Sequence, residues 1–111
     1  MLYHYIIVYM YSCTDIPTIG TPHSNITAMV STDVTLAVTV GETHPQISSV
    51  DWTKNGNNID VQGRKYIGGS LQQPNLTINR VDVSDDGTYT CTIYNGIGYG
   101  SVDISLLSWR T

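Results

Sequence analysis

The chain has 111 residues, a formal charge of −4 and only 13 % charged residues, with 41 % apolar residues and eight tyrosines. That length is one domain's worth, and the apolar share is enough for a packed core rather than a disordered chain. Five scattered basic residues give no electrostatic footprint for nucleic acid or an anionic membrane, and no apolar run approaches the ~20 residues needed to span a bilayer.

In chain order, Met1 to Thr14 comes first: apolar, tyrosine-rich and without a basic residue. It reads as a segment outside the fold, either a truncated signal peptide or an artefact upstream of the true domain, with an extra strand as the remaining possibility. No helical period follows. Short alternating runs are broken by turn residues about every ten positions, which predicts an all-β fold. Pro17 and Pro22 bracket a first edge strand, continued by Asn25 to Val30. Asp33 to Val40 alternates with Val34, Leu36, Val38 and Val40 on one face, and predicts one continuous strand. After a polar loop, Ser49 to Lys54 turns Val50 and Trp52 inward. Asn55-Gly56 is a hairpin signal, because both residues accept positive φ. Short strands are expected near Ile59 to Val61 and at Arg64 to Ile67. Asn75 to Asn79 turns Leu76 and Ile78 inward, and Val81 caps the core. The next strand buries Tyr89, Cys91 and Ile93. Asn95-Gly96-Ile97-Gly98 then turns into a last strand burying Val102, Ile104 and Leu106.

Four segments in this order carry a family resemblance: V-T-L-A-V-T-V (34–40), D-W-T-K-N-G (51–56), L-T-I (76–78) and D-D-G-T-Y-T-C (85–91). Together they resemble the immunoglobulin domain, and the run W-T-K-N-G, then Y-I-G-G-S, then L-T-I is most similar to its intermediate, or I-set, type. Such domains occur in tandem in hemicentin-like matrix proteins, cell-adhesion molecules and titin-like muscle proteins. The resemblance covers residues 15–107 and leaves 108–111 as the start of a linker. It implies a Greek-key β-sandwich of two antiparallel sheets. It also implies a corner in which the Tyr89 hydroxyl reaches back to the backbone, and an ion pair from Asp85 to Arg64 or Lys65, with Arg64 preferred. The structural core would be Val38, Trp52, Leu76, Tyr89 and Cys91.

One departure matters. The family pattern has a cysteine where this chain has Val38. Trp52 follows Val38 by 14 positions (52 − 38) and Cys91 follows Trp52 by 39 (91 − 52), both ordinary intervals for the family. The bridge between sheets therefore cannot form, and a softer fold is expected. Cys13 is expected to stay outside the sandwich as a separate thiol.

Residue patterns for chemistry are sparse. His4, His23 and His44 lack metal-ligand spacing, and no nucleophile elbow or phosphate-binding loop exists. No enzyme, metal or cofactor is expected. Asn25-Ile26-Thr27 and Asn75-Leu76-Thr77 are glycosylation sequons, and in these registers both asparagines face outward. The outward side of three strands would show Asp51, Thr53, Thr90, Thr92, Tyr94, Ser101 and Asp103, with Ile97 and Tyr99 beside it. Tyr94, Ile97 and Tyr99 are the candidate anchors for a protein partner, which includes other immunoglobulin domains. The expected function is recognition or adhesion within a longer extracellular or cell-surface protein. The alternatives are a spacer in an intracellular filament, which would place the chain in the cytoplasm, and an invertebrate immune-recognition receptor.

Overall fold

The structure, a computed structural model, describes residues 16–60 and 63–110. The segment 1–14 and Cys13 lie outside the described residues. Among the described residues ten strands run in chain order: β1 (Ile19–Gly20), β2 (Asn25–Met29), β3 (Val34–Leu36), β4 (Thr39–Val40), β5 (Ser49–Lys54), β6 (Asn57–Asn58), β7 (Tyr66–Gly68), β8 (Leu76–Ile78), β9 (Gly87–Tyr94) and β10 (Tyr99–Trp109). One sheet has the order β2-β10-β9-β5-β6 and the other β3-β8-β7, with β1 and β4 forming a separate pair. All pairings are antiparallel except β2 with β10, which run parallel.

The core lies between the sheets because alternate residues of each strand turn inward. Trp52, Tyr89, Cys91, Ile93, Ile104 and Leu106 come from the larger sheet. Leu36, Leu76 and Ile78 come from the smaller one, and Val81 closes the edge. The Asn55-Gly56 turn joins β5 to β6 with φ of 51° and 85°. Those left-handed values match the right-handed twist of a tight hairpin.

Strand expectations differ in detail: the one at Arg64 to Ile67 begins later, as β7, and the one at Asn75 to Asn79 shortens to β8. The edge strand between Pro17 and Pro22 shortens to β1. The strand expected near Ile59 to Val61 sits earlier, as β6, because the tight turn pairs Asn57 and Asn58 directly with Lys54 and Thr53; Val61 lies outside the described residues. The expected strand 33–40 breaks at Ala37 and Val38. There the Ala37 carbonyl accepts from the Thr21 hydroxyl (2.7 Å) and the Val38 N–H donates to Asn75 Oδ1 (2.9 Å). Side chains replace the ladder at that point, so β3 pairs with β8 while β4 pairs with β1. The last strand runs past Leu107: Ser108 and Trp109 pair with Ala28 and Met29, and the Val30 N–H donates to the Trp109 carbonyl. Ser108 and Trp109 are therefore part of the sandwich, not of a linker.

Candidate functional site

The Asp85 to Cys91 segment fixes how β9 enters the core. Val83–Asp85 forms a single 3-10 turn, capped by Asp82 and Asp85 acting reciprocally. The Asp82 carboxylate accepts from the Ser84 N–H and hydroxyl, which holds its carboxyl below the ordinary range. Gly87 follows with φ of 154°, and a Cβ there would meet the Asn55 side chain at 2.8 Å. Only glycine fits against that side chain, which also accepts from the Thr88 N–H. Two residues on, the buried Tyr89 hydroxyl donates to the Asp85 carbonyl at 2.7 Å. Burial pushes the Tyr89 phenol far above its usual range, so it remains a donor.

The cation at Asp85 is Lys65, not Arg64. Lys65 Nζ lies 2.7 Å from Asp85 Oδ2 and also donates to the Arg80 carbonyl. Arg64 is exposed, and its carbonyl accepts from the Asn79 amide. Lys65 is half-buried just before β7, whereas Arg64 is exposed. The Asp85 carboxylate also accepts from the Asp82 N–H, so the buried acid is fully engaged in structure.

Trp52, Leu76, Tyr89 and Cys91 are buried, whereas Val38 is only half-buried and packs against the core from the strand break. Burial, and secondarily the Asp51 charge, raise the Cys91 thiol from an ordinary value of 9.0 to about 12. Two consequences follow. In a Cys13→Ser variant, a thiol reagent at pH 8 is expected to leave the native protein unmodified and to label Cys91 once guanidinium unfolds it. Because the folded pKa lies above the unfolded one, the native state keeps a proton that the unfolded state loses. The contribution of this group to stability is full below its ordinary pKa and declines as pH rises through that value towards about 12. Prompt native-state labelling would show that the thiol is accessible.

The two sequon asparagines differ. Asn25 is exposed on β2, the outer edge of the larger sheet. Asn75 does not face freely outward: it is half-buried, with Oδ1 bonded to the Val38 N–H and its carbonyl to the Gly69 N–H. Strand parity places a side chain on one face, but here the short carboxamide reaches along the sheet to fill the gap between β3 and β4.

The outward side of β5, β9 and β10 is ordered in three cross-strand rows. They are Ser49–Tyr94–Tyr99, Asp51–Thr92–Ser101 and Thr53–Thr90–Asp103. The Thr90 hydroxyl donates to Asp103 at 2.7 Å. Tyr94 and Tyr99 stand side by side, ring centroids 6.0 Å apart at 44°, with Tyr99 63 % exposed. Ile97 projects from the adjoining turn, also exposed. That turn is rigid for a reason not apparent in the sequence: buried Asn95 accepts from the Ile97 and Gly98 N–H groups, while its amide donates to the Pro45 carbonyl. The three candidate anchors therefore share one end of one face, on a turn locked to the loop before β5.

A second exposed apolar group, Met29, Leu107 and Trp109, sits at the opposite end of β10, where Trp109 pairs with Met29. A cleft of about 530 Å³ lies apart from both, between Val40, Ile47 and Leu71, with Glu42 and His44 as its ionisable groups. Among the described residues no three His, Cys, Asp or Glu side chains gather as a metal site, and no helix is long and apolar enough to cross a membrane.

The family model for the immunoglobulin domain matches residues 16–95. The chain belongs to the immunoglobulin domain family. This immunoglobulin domain is 35 % identical over 91 residues to the mouse peroxidasin homolog, covering 81 % of this chain and 6 % of that protein. It is 34 % identical over 83 residues to human hemicentin-1, covering 74 % of this chain and 1 % of the relative. The chain thus spans a small fraction of the curated relatives it matches. Among solved structures, the tandem Ig repeats of Dlar superpose with a TM-score of 0.74 at 21 % identity, over 93 % of this chain and 53 % of that one. That likeness speaks for the fold, an immunoglobulin-like β-sandwich.

Proposed function

We propose that this immunoglobulin domain is a non-catalytic recognition or adhesion module of a longer extracellular or cell-surface protein, and that it meets a protein partner through the tyrosine-bearing end of the β5-β9-β10 face. The observation that carries this reading is the exposed Tyr94–Tyr99 pair beside Ile97 on a locked turn. Aromatic side chains held rigid in the unbound state give contact area at small entropic cost, which is why they lead at hot spots. Asp85, the buried acid, is engaged in structure, holding Lys65 and the Asp82 N–H. The multi-domain relatives support membership of a longer protein.

The test is surface staining by a tetramer of the folded chain. Tyr99→Ala is expected to weaken staining about thirtyfold, the effect of losing about 2 kcal/mol at a hot spot. Unchanged staining would remove this face from the function.

The two sequons have their own test. Expressed in animal cells behind a secretion signal, the chain is expected to carry a glycosidase-sensitive glycan at Asn25, with Asn75 unmodified. An Asn25→Gln variant should lose the mass shift and an Asn75→Gln variant should keep it. A chain with no glycan in either form would show that neither sequon is open to glycosylation in the folded domain.

A further inference from the structure

We infer that the partner at the β5-β9-β10 face is a protein segment presenting arginine or lysine, and not a second copy of this chain. The inference rests on the face assignment proposed above and adds the chemistry of what docks there. The aromatic pair supplies the docking surface; the charge beside it selects the partner. Going down the three rows from Tyr94 and Tyr99, the exposed residues are hydroxyls and two carboxylates, Asp51 and Asp103. Strand spacing puts these carboxylates about 12 Å apart, one on each side of Thr90 and Thr92.

Among the described residues no lysine or arginine stands in these three rows, and Arg110 follows the far end of β10. Lys54, the basic residue of β5, points to the other side, where Nζ donates to the Ser84 carbonyl and lies 6.0 Å from the Tyr89 ring centre. Arg64, Lys65 and Arg80 flank β7 and β8 in the opposite sheet. Two copies meeting face to face through these rows would bring four carboxylates together with no compensating charge, and like charges across an interface disfavour pairing. A guanidinium satisfies both halves of the surface. It stacks on an exposed tyrosine ring through cation–π contact, and its fork of donors matches a carboxylate. Lysine offers the same charge without the fork.

The test uses the whole chain, isotope-labelled, titrated by NMR with Ac-Arg-Gly-Arg-amide and with the same peptide carrying neutral citrulline. The arginine peptide is expected to shift amides of residues 51, 92, 94, 99, 101 and 103. Binding should weaken at least tenfold in an Asp51→Asn/Asp103→Asn variant whose spectrum stays dispersed, and fall as salt rises. The citrulline peptide should shift none of them. Equal shifts with citrulline would overturn the charge assignment while leaving the face as a docking surface. Shifts confined to other residues, or no shifts with millimolar arginine peptide, would overturn both. Sedimentation showing a dimer that Tyr99→Ala abolishes would overturn the exclusion of a second copy.

Discussion

Replacing Trp52 with alanine is expected to lower the stability of the domain by about 3–5 kcal/mol, the usual range for truncating a large buried aromatic. Three observations set the size. The indole is 4 % exposed and faces the core from β5, opposite Cys91 on β9. Its Nε1–H donates to the Pro74 carbonyl at 2.9 Å, just before β8, so it ties the two sheets together. No disulfide shares that task, because Val38 stands where a bridging cysteine would be. Truncation leaves a cavity and an unpaired carbonyl at once. Against a total of about 5–15 kcal/mol, the variant would be marginal, with Tm lowered by about 15–30 °C. Trp52→Phe keeps most of the bulk and loses the hydrogen bond, so about 1–2 kcal/mol is expected. Urea denaturation of both variants gives the check. A loss below about 1 kcal/mol for Trp52→Ala would mean that the sheets are held together elsewhere.

The contrast between β9 and the strand at 34–40 shows what local pattern specifies. In β9, alternation, the Asp-Asp-Gly turn and the tyrosine all act within seven residues. The buried face of Tyr89, Cys91 and Ile93 and the hydroxyl bond to Asp85 are therefore legible in the sequence. The same holds for the Asn55-Gly56 hairpin. At 34–40 the face is legible but the continuity is not. The break depends on Thr21 and on Asn75, the latter 37 residues away, both reaching the backbone at Ala37 and Val38. No local period records such a contact. It also explains the different standing of the two sequons, because Asn75 is spent on that break while Asn25 is exposed.

Site residues divide in the same way. Tyr94 and Tyr99 fall on one face by alternation, but the anchoring of their turn through Asn95 to Pro45 spans 50 residues. The choice of Lys65 over Arg64 turns on which neighbouring side chain points toward the sandwich, a one-residue register that short strands specify poorly. Trp109 was hidden for another reason. A tryptophan followed by Arg110 and Thr111 resembles a connection until its pairing with Met29 is seen.

Val38→Cys is expected to form a bridge to Cys91 under mild oxidation and to raise stability by about 2–4 kcal/mol over the reduced form. The chain-entropy model gives about 4 kcal/mol for a closed loop of about 54 residues. Two features work against the full value. Val38 lies at the β3–β4 break, where its N–H is held by Asn75, so the backbone is less free to adjust towards bridge geometry. It is also only half-buried, so its Cβ approaches the core from the rim. The reduced variant should differ little from the parent, because cysteine and valine are close in size and both tolerate an apolar setting. In a Cys13→Ser background, comparing oxidised with reduced protein in one denaturation series isolates the bridge, and protection of the two remaining thiols from alkylation after unfolding confirms that it formed. Clean oxidation with no gain would show that strain at the break cancels the entropic term. The site would then have diverged beyond repair by one residue, with Asn75 as the reason, and an Asn75→Ala change in the same background should recover part of the missing stability by freeing Val38's segment to move.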